Sequence, residues 1–173
     1  MASLAELGPE LPAIARAAIA AWLAGERHEP SSPGAPRAPV FVTLRAPGGA
    51  LRGCIGTTAP ATPDLVAETA RSAVLAASRD PRFPRVTAEE LSALRVEVSV
   101  LLPEEPVSGP SDLDPARYGV IVRGADGRQG LLLPDVPGID DVETQLGVAR
   151  AKGGLAPGAP ARLTRFEVLK FVG

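Results

Sequence analysis

The stretch from Arg95 to Leu102 sets the tightest limit on what this chain can fold into. Val96, Val98, Val100 and Leu102 alternate with Arg95, Glu97, Ser99 and Leu101, a two-residue period that belongs to a strand and not to a helix. A strand of this kind rests one face on a core and needs paired neighbours to satisfy its backbone. The sequence supplies them. Val40 to Arg45 and Leu51 to Thr57 flank a turn at Pro47, Gly48 and Gly49, which predicts an antiparallel hairpin. Tyr118 to Arg123 and Arg128 to Leu133 flank Asp126 and Gly127, a tight-hairpin signal, and the unbroken Leu131, Leu132, Leu133 suggests a strand covered on both faces. A turn through Gly153, Gly154, Pro157, Gly158 and Pro160 leads to a final strand near Ala161 to Val172.

Helices fall between these strands. Leu7, Leu11, Ile14, Ala18, Ile19 and Trp22 recur at helical spacing, and Gly25 marks the end of that helix. A spacer carrying Pro30, Pro33, Pro36 and Pro39 follows. Thr62 reads as an N-cap with Pro63 at the first helical position and Asp64 at the positive end, opening a helix that stops before Pro81. Thr87 and Glu90 form a capping box for a short helix to Leu94, and Asp140 to Arg150 reads as a last helix. No regular strand, helix, strand rhythm appears. The class is therefore α+β, an antiparallel-dominated sheet flanked by helices with a smaller appended lobe. The expected organisation is a single domain over 1–173 with a small lobe within 104–160.

Composition removes much chemistry. With one cysteine (Cys54), one histidine (His28) and no asparagine in 173 residues, the chain by itself builds no disulfide, no multi-cysteine zinc or iron-sulfur site and no Cys/His/Asn triad. No cofactor and no metal ligand is expected. A net charge of −2 and 3% aromatic residues argue against nucleic acid as a partner. The acidic, proline-interrupted N-terminal stretch predicts neither a signal peptide nor a membrane span, hence a cytoplasmic protein with a reduced thiol. From Glu104 to Glu143 nine residues are acidic and three basic, whereas from Arg150 onward five are basic against Glu167 alone. That contrast suggests two lobes or faces of opposite sign, or solvated surfaces.

Two constellations carry candidate chemistry. In Leu51, Arg52, Gly53, Cys54, Ile55, Gly56, Thr57, strand alternation puts Arg52, Cys54 and Gly56 on one face. Cys54 then lies about 7 Å from Arg52, a range at which a guanidinium favours a thiolate, and Gly56 leaves a ligand room to approach the backbone. The competing reading makes Cys54 a small buried hydrophobe and lets the glycines admit the helix from Asp64. No general base stands out. In the second constellation, Asp80, Pro81, Arg82, Phe83 and Pro84, Asp80 orients Arg82 or Arg52, and Arg79, Arg82 and Arg85 make a cationic site for a carboxylate or phosphate. The plainer reading has the arginines complement the helix dipole, Asp80 cap a turn and Phe83 plug the core. Lys152, Gly153 and Gly154 read as a helix stop or an anion-binding nest.

The string LRGCIG at Leu51 to Gly56, preceded by PVFVTL at Pro39 to Leu44 and followed by DPRFP at Asp80 to Pro84, resembles the AMMECR domain family. TAEELSALRVEVSVL, YGV at Tyr118 to Val120, GLLLPDV at Gly130 to Val136 and KGGL at Lys152 to Leu155 extend the resemblance over nearly the whole chain. One departure is the absence of the tryptophan that the family often carries after the LPxV string. The resemblance implies a compact domain with an antiparallel sheet and a smaller lobe, and no particular activity. Members of this kind resemble the first component of the AmmeMemoRadiSam set, whose others are a Memo-type protein, similar to extradiol-type dioxygenases, and a radical SAM protein. The implied role is partnership in a redox or modification pathway, with iron and cluster chemistry held by those partners.

The resulting expectation is an enzyme or enzyme-complex component with Cys54 as the catalytic thiol, and with Arg52, Gly53, Gly56, Asp80 and Arg82 around an unidentified small anionic molecule. The alternative is a non-catalytic binding or scaffold domain for the Memo-type and radical SAM partners.

Overall fold

The computed structural model describes residues 3–173. The chain forms two compact units, Met1–Leu101 with Leu169–Gly173, and Leu102–Val168. Each holds one four-stranded sheet. This is the mixed helix and antiparallel sheet architecture that the sequence pattern predicts.

In the first unit α1 (Leu4–Leu7) and a 3-10 turn lead into α2 (Leu11–Leu23). The strands are β1 (Val40–Arg45), β2 (Leu51–Gly56) and β3 (Arg95–Leu101), and between the last two lie α3 (Leu65–Ser78) and the one-turn α4 (Ala88–Leu91). The second unit contains β4 (Glu105–Pro106), β5 (Gly119–Gly124), β6 (Gln129–Leu132), α5 (Val142–Lys152) and β7 (Ala161–Phe166). The predicted final strand is in fact two, because β8 (Val168–Val172) joins the first sheet while β7 belongs to the second. Glu167 separates them. Hydrophobicity alone does not reveal that break, since both halves read as strand.

The first sheet runs β2-β1-β3-β8, with β1 antiparallel to both neighbours. Val40, Val42, Leu44, Val96, Val98 and Val100 fill one face and pack with Leu11, Ala15, Ile19, Leu65, Ala73, Ala76 and Ala77 from α2 and α3. The strand β3 departs from simple one-sided burial, because Glu97, Ser99 and Leu101 are buried as well. Glu97 tolerates this because Arg45 and Arg95 both pair with it, at 2.9 and 2.7 Å.

The N-terminus of α3 also departs from expectation. Asp64, not Thr62, is the cap, and its Oδ1 accepts from Val66 and Ala67 N–H at 2.9 Å. A carboxylate is the stronger acceptor at the positive helix end. The Thr62 hydroxyl instead donates its one hydrogen to Glu68 at 2.7 Å, with the Asp64 carbonyl at 3.1 Å. The capping box of Thr87 and Glu90 is present. In the second unit Val120, Val122, Leu132, Ala149 and Leu155 make the core beneath α5, and Gly153 caps that helix, so the KGG run ends it. Leu131 and Leu132 are buried and Leu133 half-buried.

Gly53 decides how closely α3 lies on β2: a Cβ there would collide with the Ala76 carbonyl. Gly53→Ala should therefore lower unfolding stability by about 1–3 kcal/mol, the cost of forcing a packed backbone apart. Urea denaturation against the wild type measures it, and an unchanged midpoint contradicts it.

Candidate functional site

Gly53 turns its missing side chain toward α3, so the next residue, Cys54, faces the opposite side of the sheet. Cys54 is thus not sealed beneath α3. It is half-buried and lies directly opposite Thr43 on β1, whose hydroxyl donates to Sγ at 3.3 Å. Thr43 in turn faces Glu97 on β3, so Cys54, Thr43 and Glu97 form a polar row across three strands.

As the edge strand, β2 has N–H groups that no further strand can accept. Asp80, one residue beyond the α3 C-cap Arg79, takes one of them: Cys54 N–H donates to its Oδ2 at 2.9 Å. The same carboxylate accepts from the Arg82 backbone N–H (3.1 Å) and Nε (3.0 Å) at Oδ1, and from Arg82 Nη2 (2.8 Å) at Oδ2. The Arg82 side chain holds the Asp80 carboxyl down to about 2, against the opposing effect of burial and with help from Cys54 N–H. Reciprocally, Asp80 above all raises the Arg82 pKa, and burial opposes the shift. The Arg82 guanidinium and the Cys54 backbone N–H thus share one oxygen, Asp80 Oδ2. The guanidinium stacks over the Phe83 ring at 5.5 Å from the centroid.

Arg52, expected beside Cys54, is committed to partners of its own. The register slips between Leu44 and Arg45, where Leu44 faces Gly53 and Arg45 faces Leu51, leaving Arg52 as the extra residue of a bulge. Its Nε and Nη2 grip Glu90 at 2.8 and 3.0 Å, and Nη1 donates to the Pro84 carbonyl at 2.9 Å. That cation is neutralised and ties the loop of Asp80 to Pro84 along the sheet edge. Gly56 is also not open to a ligand, since a Cβ there would strike Val40 and Phe41. Phe83 is a half-buried stacking partner for Arg82 and not a core plug. Arg79 and Arg85 are exposed, and His28 is exposed in the proline-rich spacer.

The structure thus brings together Cys54, Asp80 and Arg82, and adds Thr43 and Phe83, which sequence reading did not assign to the site. Thr43 was readable in principle from the hairpin register; Glu90, as the partner that consumes Arg52, was not. Among the described residues no group of three His, Cys, Asp or Glu side chains could hold a metal ion, and no helix is long and apolar enough to cross a membrane.

Two four-stranded antiparallel sheets with helices, and a thiol beside an Asp–Arg pair on a sheet edge, define an α+β protein with a polar surface corner. The AMMECR1 family model matches residues 12–171, and the chain belongs to that family. A Thermotoga maritima protein is 52% identical over 120 residues, covering 69% of this chain and 68% of its own length. A Clostridium acetobutylicum relative is 41% identical over 132 residues, 76% of this chain but only 27% of that longer protein. The crystal structure of uncharacterized protein PH0010 from Pyrococcus horikoshii superposes with a TM-score of 0.87 at 37% identity, over 96% of this chain and 91% of that one.

The depressed Asp80 pKa has a defined consequence. Its stabilising contribution is present above the unfolded value of 3.8 and lost as pH falls toward the folded value of about 2. With Arg82 half-exposed and screened, the contribution is at most about 2 kcal/mol. The stability gap between wild type and Asp80→Asn, measured by urea denaturation, should therefore narrow between pH 4 and pH 2. A gap that stays constant would show that the Asp80 charge does not stabilise the fold.

Proposed function

We propose that the corner of Cys54 and Arg82 binds a small anionic molecule, with the guanidinium gripping its charge and the thiol meeting its other end. What carries this reading is the placement of Cys54 on the sheet face away from α3, half-buried, with its backbone N–H on the same Asp80 oxygen that holds the Arg82 guanidinium. A structural thiol buried under the helix would not need such an arrangement. The site works as an enzyme or enzyme-complex component, Cys54 being the catalytic thiol. It serves a redox or modification pathway whose iron and cluster chemistry lies with a Memo-type protein and a radical SAM protein. One cysteine and one histidine in the chain support that division of labour.

Because Cys54 is the only thiol, labelling of the native protein reads one site. Iodoacetamide should modify it without denaturant, within about tenfold of the rate of a free thiol at the same pH, and inorganic phosphate or acetate should slow the reaction. A thiol that reacts only after unfolding removes the site, as does a Cys54→Ala variant that fully supports the pathway in cells. The latter result, together with co-purification of the three proteins, would favour a scaffold.

A further inference from the structure

The Arg82 guanidinium is held on two sides and open on a third. Asp80 takes Nε and one hydrogen of Nη2, and the Phe83 ring lies under one face. Nη1 makes no hydrogen bond to any described residue, and the second Nη2 hydrogen is likewise uncommitted. The remaining edge is the planar two-donor fork that a carboxylate fits bidentately. Asp80 itself is buried, and its Oδ2 receives both the Cys54 N–H at 2.9 Å and Arg82 Nη2 at 2.8 Å. One oxygen therefore fixes the cation relative to the backbone that carries the thiol.

We infer that Asp80 is the positioning residue of this corner: it turns the open edge of Arg82 toward Cys54, so that the ligand class is a small carboxylate whose other end reaches Sγ. The inference rests on the anionic-ligand reading above and adds to it the residue that sets the geometry and the chemistry of the anion. Asp80 has two opposed effects on an incoming carboxylate. Its own charge repels the ligand, and its hydrogen bonds aim the cation that attracts it. The sign of the response to losing that charge tells the two apart.

The probes are iodoacetate, a small carboxylate, and iodoacetamide, its neutral counterpart. Each forms the same S–C bond at Cys54 with release of iodide, so the ratio of their rate constants cancels the fraction of thiolate. In the native full chain at low salt, the iodoacetate to iodoacetamide ratio should exceed that of the uncharged reference N-acetylcysteine amide by about fivefold, the size of one partly exposed charge interaction, and high salt should erase the excess. Arg82→Gln should bring the ratio down to the reference. Asp80→Asn should do the same, although it removes a negative charge. If Asp80→Asn does not fold, Asp80→Glu, whose longer side chain misplaces the guanidinium, should lower the ratio partway. A ratio that rises or stays unchanged in the folded Asp80 variant while falling in Arg82→Gln overturns the role of Asp80 and leaves the anion site standing. A wild-type ratio equal to the reference removes both.

Discussion

The contact between α3 and β2 at Gly53 governs the rest of the first unit. A residue without a side chain lets the Ala76 carbonyl approach the strand backbone directly, which brings the C-terminal end of α3 level with the sheet edge. Asp80, the second residue past the helix, then reaches the free N–H of Cys54. The same approach commits Gly53 to the helix face and sends Cys54 to the other, because adjacent strand residues point in opposite directions. Packing and candidate chemistry thus share one cause: the tight helix contact both closes the core and exposes the thiol face.

Three carboxylates in and around α3 organise the loops that surround it. Asp64 caps the helix through Oδ1, while its Oδ2 accepts from the Ser31 hydroxyl and the Ser32 N–H and so pins the proline-rich spacer. Glu68, fully buried, gathers the Thr57 hydroxyl, the Ala61 and Thr62 N–H groups and the Thr62 hydroxyl. Asp80 holds the loop along the β2 edge. Burying a carboxylate is costly unless donors replace its water, and each of these acids has four. Loops of little intrinsic order become fixed because their N–H and hydroxyl groups are the solvent of those charges.

The charge asymmetry along the sequence resolves differently from a picture of two oppositely charged lobes. The acidic stretch and much of the basic stretch lie within one unit, Leu102–Val168. There Glu104 pairs with Arg123 and Glu105 with Arg165, at 2.8 and 3.0 Å. Arg165 and Arg117 also stack on Tyr118, with 4.1 and 4.8 Å to the ring centroid. Charges apart in sequence therefore meet across the second sheet. In the first unit the two arginines nearest the candidate site separate by partner: Arg52 is spent on Glu90, while Arg82 keeps an open edge.

The sequence by itself determined the strands, the helices, the antiparallel class and the membership of a family, because alternation, capping residues and a run of specific strings are local properties of the chain. The pairing of Asp80 with Arg82 was within its reach, two residues apart on a proline-bracketed turn. Only the tertiary structure decided which cation keeps an open edge, since Arg52 is consumed by Glu90 and the Pro84 carbonyl, both far along the chain. It also split the last strand between two sheets and moved the cap of α3 from Thr62 to Asp64. In each case the outcome depends on register and on competition for the same donors, and those are settled between segments that only the folded chain brings together.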